Sequence, residues 1–182
     1  MLSMLISEYI CRKALVEVFI LYFMSKEIDE KDLQILRILQ SNCSLSVKTI
    51  ARMVNSPITT VHAKIKRLEG LGYIKSYKAV LDSKKLGKPV TAFILVSFAY
   101  TPPIASGMLS QRDVAKDIAK FPEVQEVHII TGDWDLLIKV KASSIDEIGR
   151  FVVDKLRTVH GVEKTLTCVV FDSIKECFDI SF

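Results

Sequence analysis

Residues 46–69, SVKTIARMVNSPITTVHAKIKRLE, decide how the rest of the chain is understood. Ser46 stands where a helix N-cap belongs, and Leu45 before it is placed to staple against Ile50. Val47, Ile50, Ala51 and Val54 then recur at the spacing of one helix face. Asn55 makes a tight turn. Ser56 as cap and Pro57 at the first helical position, where its missing N–H is harmless, begin another helix. Ile58, Val61, Ile65 and Leu68 line one side of that helix, and Gly70 and Gly72 end it. Two short helices across a tight turn make a helix-turn-helix pattern.

The side of this last helix away from its aliphatic stripe carries Thr59, Thr60, Ala63, Lys66 and Arg67, flanked by His62 and Lys64. No acid appears until Glu69. A helix entering a major groove needs small residues for close approach, and hydroxyls and cations for phosphates and base edges. The same composition also suits a solvated face on a small helical bundle. Three features together favour DNA: the helix-turn-helix register, the segregation of charge, and Lys75 and Lys78 on the extended segment Tyr73–Val80, placed to act as a wing. Ser46, Lys48 and Pro57, at the starts of the two helices, complete the candidate contact set.

Charge is distributed to match. The chain of 182 residues carries a net charge of +4, yet residues 46–80 hold seven Lys/Arg against one acid. Residues 81–182 hold thirteen against fourteen. A basic segment joined to a near-neutral remainder is expected of a polyanion-binding module attached to a second domain. With 49% apolar and 25% charged residues the chain has material for one or two cores and is not a disordered sequence. Four cysteines, at 11, 43, 168 and 177, form no C-x-x-C pair, so neither a disulfide framework nor a structural zinc site is expected. The thiols are expected to be reduced and the compartment cytoplasmic.

Upstream, Asp29 caps a first helix whose face is Leu33, Leu36 and Leu39, flanked by Ile35 and Ile38. Residues 1–23 are very apolar, but Glu8, Arg12, Lys13 and Glu17 interrupt them. The longest uncharged stretch, Val18 to Ser25, has eight residues, against roughly 20 for a bilayer span. Two alternatives stay open for this segment: a helix packing on the body or a partner, or translation starting at Met24. No membrane association is expected.

Downstream of a polar, turn-rich stretch at 81–88 the pattern changes. Strands are expected over Val90–Tyr100, Val124–Thr131, Leu136–Lys141 and Val162–Ile174, and helices over Leu109–Phe121 and from Ser144, which forms a capping box with Glu147, to Gly161. The order β-α-β-β-α-β is the ferredoxin-like pattern. The expected fold class is therefore α+β: a winged helix-turn-helix at 24–80, a linker at 81–88 and a ferredoxin-like domain at 89–182. The turn Gly132-Asp133-Trp134-Asp135 exposes N–H groups for a carboxylate and offers Asp133 or Asp135 to an ammonium, with Trp134 closing over a ligand or packing between subunits. By spacing alone it is equally a plain hairpin turn.

These residues also carry a resemblance. Asp29-x-x-Asp32-x-x-Ile35-Leu36-x-x-Leu39-Gln40, Ser46-x-x-x-Ile50-Ala51, Val61-x-x-Lys64-Ile65-x-x-Leu68-Glu69-x-x-Gly72-x-Ile74 and Tyr77-x-Ala79-x-Leu81-Asp82-x-x-x-Leu86-Gly87 resemble the N-terminal half of the Lrp/AsnC, or feast/famine, regulators. Phe121-Pro122-Glu123-Val124, Thr131-Gly132-Asp133-Trp134-Asp135-Leu136-Leu137 and His160-Gly161-Val162-x-x-Thr165-x-Thr167 resemble the second half. The resemblance implies a transcriptional regulator that binds double-stranded DNA and carries a RAM domain, pairs through its sheets into dimers, and assembles into tetramers, octamers or larger rings. It further implies that an amino acid or related metabolite binds at dimer–dimer contacts, through Gly132–Asp135 and Thr165 and Thr167. Three departures stand out: residues 1–23 have no counterpart, Tyr100–Ser110 is a long connection, and Lys64 stands where Arg is common. The competing class is a ferredoxin-like metabolite-binding subunit or small enzyme without DNA binding. His62, His128 and His160 are isolated, and no H-E-x-x-H, P-loop or G-x-G-x-x-G is present, so no catalytic residue, cofactor or metal is expected.

Overall fold

The structure, a computed structural model of the chain, describes residues 27–98 and 110–182. The expectations for residues 1–23 and for the long Tyr100–Ser110 connection fall almost wholly outside those residues. Two compact units emerge: one extends to Ala79 and takes in Cys177–Phe182, and the other is Val80–Glu176. The last six residues, Cys177–Phe182, group with the first unit. Gln40 bonds the main chain of Ile180, and Arg37 bonds the main-chain oxygen of Phe182, at 2.9–3.0 Å.

Among the described residues the first unit has three helices, α1 (Glu30–Ser41), α2 (Val47–Met53) and α3 (Ile58–Gly70). Asp29 caps α1 by accepting from Asp32 N, and Asp32 returns the bond to Asp29 N at 2.8 Å, closing a capping box. Ser46 caps α2 through Thr49 N. At the turn, Asn55 takes a left-handed φ of +48°, a conformation asparagine tolerates better than most residues. The start of α3 differs from expectation. Pro57, not Ser56, is the N-cap, without a side-chain cap bond, and Ser56 instead donates to Val54 O. Ile58, expected in the buried stripe, is half exposed at the first position of α3. The core is Ile35, Leu39, Ile50, Ala51, Val54, Val61, Ile65 and Leu68. Gly72, at φ +79°, lets the chain leave α3 with Gly72 N on Glu69 O and Tyr73 N on Leu68 O, the two bonds of a Schellman ending. The segment expected as an extended wing, Tyr73–Val80, forms no strand. Tyr73 and Ile74 pack on the helical core, and the residues beyond them are exposed.

The second unit is a four-stranded antiparallel sheet, β1 (Val90–Phe98), β2 (Val124–Ile129), β3 (Leu136–Ala142) and β4 (Val162–Val169), in the order β2-β3-β1-β4. This is the ferredoxin-like arrangement. Helices α4 (Gln111–Ile118) and α5 (Ile145–Arg150) cover one face. The chain continues from α5 through a wide π-helical turn, Phe151–Lys155, and a 3₁₀ turn, Leu156–Thr158, so the helical segment is less regular than expected. Ala92, Ile94, Val96 and Phe98 alternate inward from β1 and meet Val114, Ile118, Ile148, Phe151 and Leu156. Phe121 stands edge-on to Phe151 at 5.7 Å. The other face of the sheet bears Phe93, Leu95, Leu137 and Leu166, with no helix on it among the described residues.

Three further boundaries move for physical reasons. β4 was expected to reach Ile174 but stops at Val169, opposite Ala92; Val170 N makes one more bond to Thr91 O and the chain then leaves β1. β2 stops at Ile129, where Ile130 N bonds Asp135 O and closes the hairpin. The capping box at α5 is displaced by one residue: Ser144 caps Glu147 N, but the Glu147 carboxylate accepts from Ser143 N and Oγ at 2.6 Å. No helix among the described residues is long and apolar enough to cross a membrane. Truncating the fully buried Ile94 to alanine should destabilise the second unit by about 2–5 kcal/mol. Urea unfolding followed by Trp134 fluorescence tests this, because the single tryptophan lies in that unit and reports on it alone.

Candidate nucleic-acid interface and effector turn

Burial of Val61, Ile65 and Leu68 fixes which side of α3 faces outward. Thr59, Thr60, His62, Ala63 and Lys66 are all exposed there, as the sequence led us to expect. Lys66 rests on Glu69, three residues on, at 2.7 Å, an exposed pair that phosphate can compete for. Ser46, Lys48 and Pro57 are also exposed. Beside them lies a residue that the sequence analysis passed over. Arg52 stands one turn after Lys48 on the exposed face of α2, and both line an open depression of about 490 Å³ with Asn55, Pro57 and Ile58. The i, i+4 spacing of Lys48 and Arg52 was the available signal.

Two of the candidate cations are engaged elsewhere. Lys64 Nζ lies 2.5 Å from Asp29 Oδ2 and 3.2 Å from Asp32 Oδ1, and its side chain is only 19% exposed. Arg67 bonds Asp32 Oδ2 through Nη2, and donates through Nη1 to Glu27 O at 3.0 Å. Asp32 itself is completely buried. Both cations turn toward α1, so the surface that α3 presents is narrower than the helical wheel indicates. The Lys64 hydrogen bond, helped by Asp32 N, holds the Asp29 carboxyl at about 2, well below its ordinary 3.8.

Lys75 and Lys78 lie exposed on the irregular segment after α3. Between them Tyr77 donates to Glu69 Oε1 at 3.0 Å and ties that segment back to the helix. Burial, with the Glu69 carboxylate beside it, pushes the Tyr77 phenol up to about 12.

In the second unit the turn after β2 separates its two acids. Gly132, at φ +124°, and Asp133 are exposed, while Trp134 is half-buried. Asp135 Oδ2 accepts from Phe98 N at 2.9 Å, Oδ1 accepts from Gln111 Nε2 at 2.8 Å, and Asp135 N bonds Val96 O. Asp135 therefore secures the end of β1 to the start of α4, and Asp133 is the acid offered to solvent. Thr165 and Thr167 sit on β4 opposite Val96 and Ile94, on the helix-covered side of the sheet. β1 intervenes between them and β3, two strand spacings of about 4.8 Å each. Cys43, Cys168 and Cys177 are free and exposed, and no cluster of three metal-ligating side chains exists among the described residues.

A helix-turn-helix with an exposed polar recognition face, joined to a ferredoxin-like domain, defines a two-domain DNA-binding regulator. Family models agree on both halves: residues 28–75 match a winged helix-turn-helix DNA-binding domain and residues 91–180 match the Lrp/AsnC ligand-binding domain. An uncharacterised HTH-type transcriptional regulator of Pyrococcus abyssi is 46% identical over 153 residues, which is 84% of this chain and 99% of the relative. The HTH-type transcriptional regulator FL11 of Pyrococcus horikoshii is 32% identical over 157 residues, covering 86% of this chain and 98% of that one. Among solved structures, a transcriptional regulator from Neisseria meningitidis in complex with L-Met superposes with a TM-score of 0.75 at 26% identity, covering 85% of this chain and 96% of that chain. An AsnC family regulator from Agrobacterium tumefaciens gives 0.76 at 25% identity, covering 85% and 97%. The chain belongs to the Lrp/AsnC family. It is a transcriptional regulator that joins a DNA-binding helix-turn-helix to a ligand-binding domain.

Because the Asp29 carboxyl is lowered in the folded state, its contribution to stability is full above about pH 4 and disappears as pH falls toward 2. Urea midpoints of the first unit, read by circular dichroism, should fall across that window. Asp29→Asn should flatten the dependence.

Proposed function

We propose that α3 enters the major groove with Thr59, Thr60, Ala63 and Lys66 toward the bases and nearby phosphates, and His62 at its edge. Lys48, Arg52, Ser46 and the start of α3 at Pro57 meet the sugar–phosphate backbone on one flank, and Lys75 and Lys78 meet it on the other. The observation that carries this is the division of α3 into a fully buried aliphatic side and an exposed side without an acid before Glu69. Two copies in a dimer present two such helices to half-sites one or more helical turns apart, and dimers assemble further into tetramers or octamers.

The effector is an amino acid or a closely related metabolite. The exposed Asp133 carboxylate receives its ammonium, and the N–H groups around Gly132 receive its carboxylate. Trp134 packs over it, and Thr165 and Thr167 come from a neighbouring protomer. The L-Met bound to the Neisseria relative supports this ligand class. Asp135 takes no part in holding the ligand, since its carboxylate is occupied by Phe98 N and Gln111. The protein works in the cytoplasm and catalyses no reaction, in keeping with relatives named as transcriptional regulators.

Lys66→Ala should weaken binding to every duplex and reduce the slope of log K against log salt by about one, measured by fluorescence anisotropy. An unchanged slope would remove α3 from the interface. A panel of amino acids should shift sedimentation or operator affinity of the wild type, and Asp133→Asn should abolish the shift. By linkage, bound operator must alter affinity for the effector by the same factor.

A further inference from the structure

Asp32 stands apart from every other acid among the described residues of the first unit: it is completely buried, belongs to α1, and meets two cations of α3. Lys64 and Arg67 are three residues apart on the same helix, so a single carboxylate grips α3 along one turn of its length. The grip extends on both sides. Lys64 reaches on to Asp29, the cap of α1, and Arg67 reaches on to Glu27 O. Asp32 also accepts from Asp29 N, so the bond that starts α1 and the bonds that seat α3 share one side chain. Hydrophobic packing of Val61, Ile65 and Leu68 is non-directional and holds α3 against the bundle. Charge-assisted bonds are directional and set its rotation. They also occupy two of the cations that α3 brings toward the duplex.

We infer that Asp32 is a specificity-determining positioning residue for DNA recognition: by binding Lys64 and Arg67 it sets the angle at which α3 meets the groove and withholds two positive charges from sequence-independent phosphate contact. The inference rests on the proposed role of α3. The phosphate term supplies nearly all non-specific affinity, so cations kept from it lower binding to random DNA while leaving base contacts intact. An uncharged side chain at position 32 frees Arg67 from its ion pair, and the Arg67 side chain is already 46% exposed.

The test uses the full chain, an operator obtained by in-vitro selection from random duplexes, and a random duplex of equal length. Asp32→Asn keeps the shape and removes the charge. Glu30→Gln removes the same charge from the same helix turn without touching α3, since Glu30 pairs only with Arg37 among the described residues. Asp32→Asn should tighten binding to the random duplex and steepen its salt slope by about 0.9 per released cation, and the operator-over-random ratio should fall about tenfold. Glu30→Gln should do neither. Arg67→Gln, which does not leave a carboxylate without any cation, covers the case in which Asp32→Asn fails to fold. It should lower the operator-over-random ratio while leaving the salt slope at the wild-type value. A slope reduced by about 0.9, with both duplexes weakened equally, would make Arg67 a phosphate contact and overturn the inference. An unchanged ratio in Asp32→Asn, or equal effects from Glu30→Gln, would overturn it as well. Lys66→Ala separates this from failure of the α3 reading: if it alters the salt slope, α3 is at the duplex whatever Asp32 does.

Discussion

The burial of Val61, Ile65 and Leu68 against Ile35, Leu39 and Ile50 is the contact on which the rest of the first unit depends. A helix of thirteen residues is marginal on its own, and this one has no side-chain cap at its start. Its stability comes from the aliphatic stripe, which turns the small and hydroxyl residues outward, while the bonds from Asp32 to Lys64 and Arg67 trim its rotation. The turn at Asn55 brings α2 alongside, and a basic surface forms from residues of both helices.

In the second unit the governing constraint is the two-residue alternation of β1 and β3. Ala92, Ile94, Val96 and Phe98 share a face with Leu136, Ile138 and Val140, and helices cover that face. Asp135 shows how a polar group serves this arrangement. Its carboxylate satisfies a main-chain N–H at the end of β1 and an amide at the start of α4, which fixes where the strand stops and the helix begins. The exposed Asp133, two residues earlier, is left available for other chemistry because its neighbour has taken the structural task.

What could be read from the sequence was what depends on periodicity. The stripe of α2, that of α3 from Val61 on, the inward rows of the strands and the β-α-β-β-α-β order follow from spacing, and the structure contains them; α1 instead buries Ile35 with Leu39 and leaves Leu33 and Leu36 only partly covered. What could not be read depends on approaches between distant residues. Lys64 and Arg67 sit on a helix face that a wheel marks as outward, and only α1, 32 and 35 residues earlier in the chain, explains why they turn aside. Asp133 and Asp135 look equivalent in a four-residue turn, until Phe98 N, 37 residues away, distinguishes them. β4 ends at Val169, where its pairing with β1 stops, which its own apolar residues do not reveal. Ile58 looked like a core residue by its spacing, yet it is half exposed at the first position of α3. Arg52 was legible, one turn from Lys48, but a helix with a clear buried stripe draws attention to its inside.

The side of the sheet that bears no helix among the described residues has its own consequence. Leu137, Leu95 and Leu166 form a row across three strands, and Phe93 lies between Lys139 and Cys168 in the next. A sheet with aliphatic rows on both sides is only half finished by its own helices. Whatever settles on that side joins the folding equilibrium, and the robustness of the domain then varies with how much of that companion is present as well as with the residues it encodes.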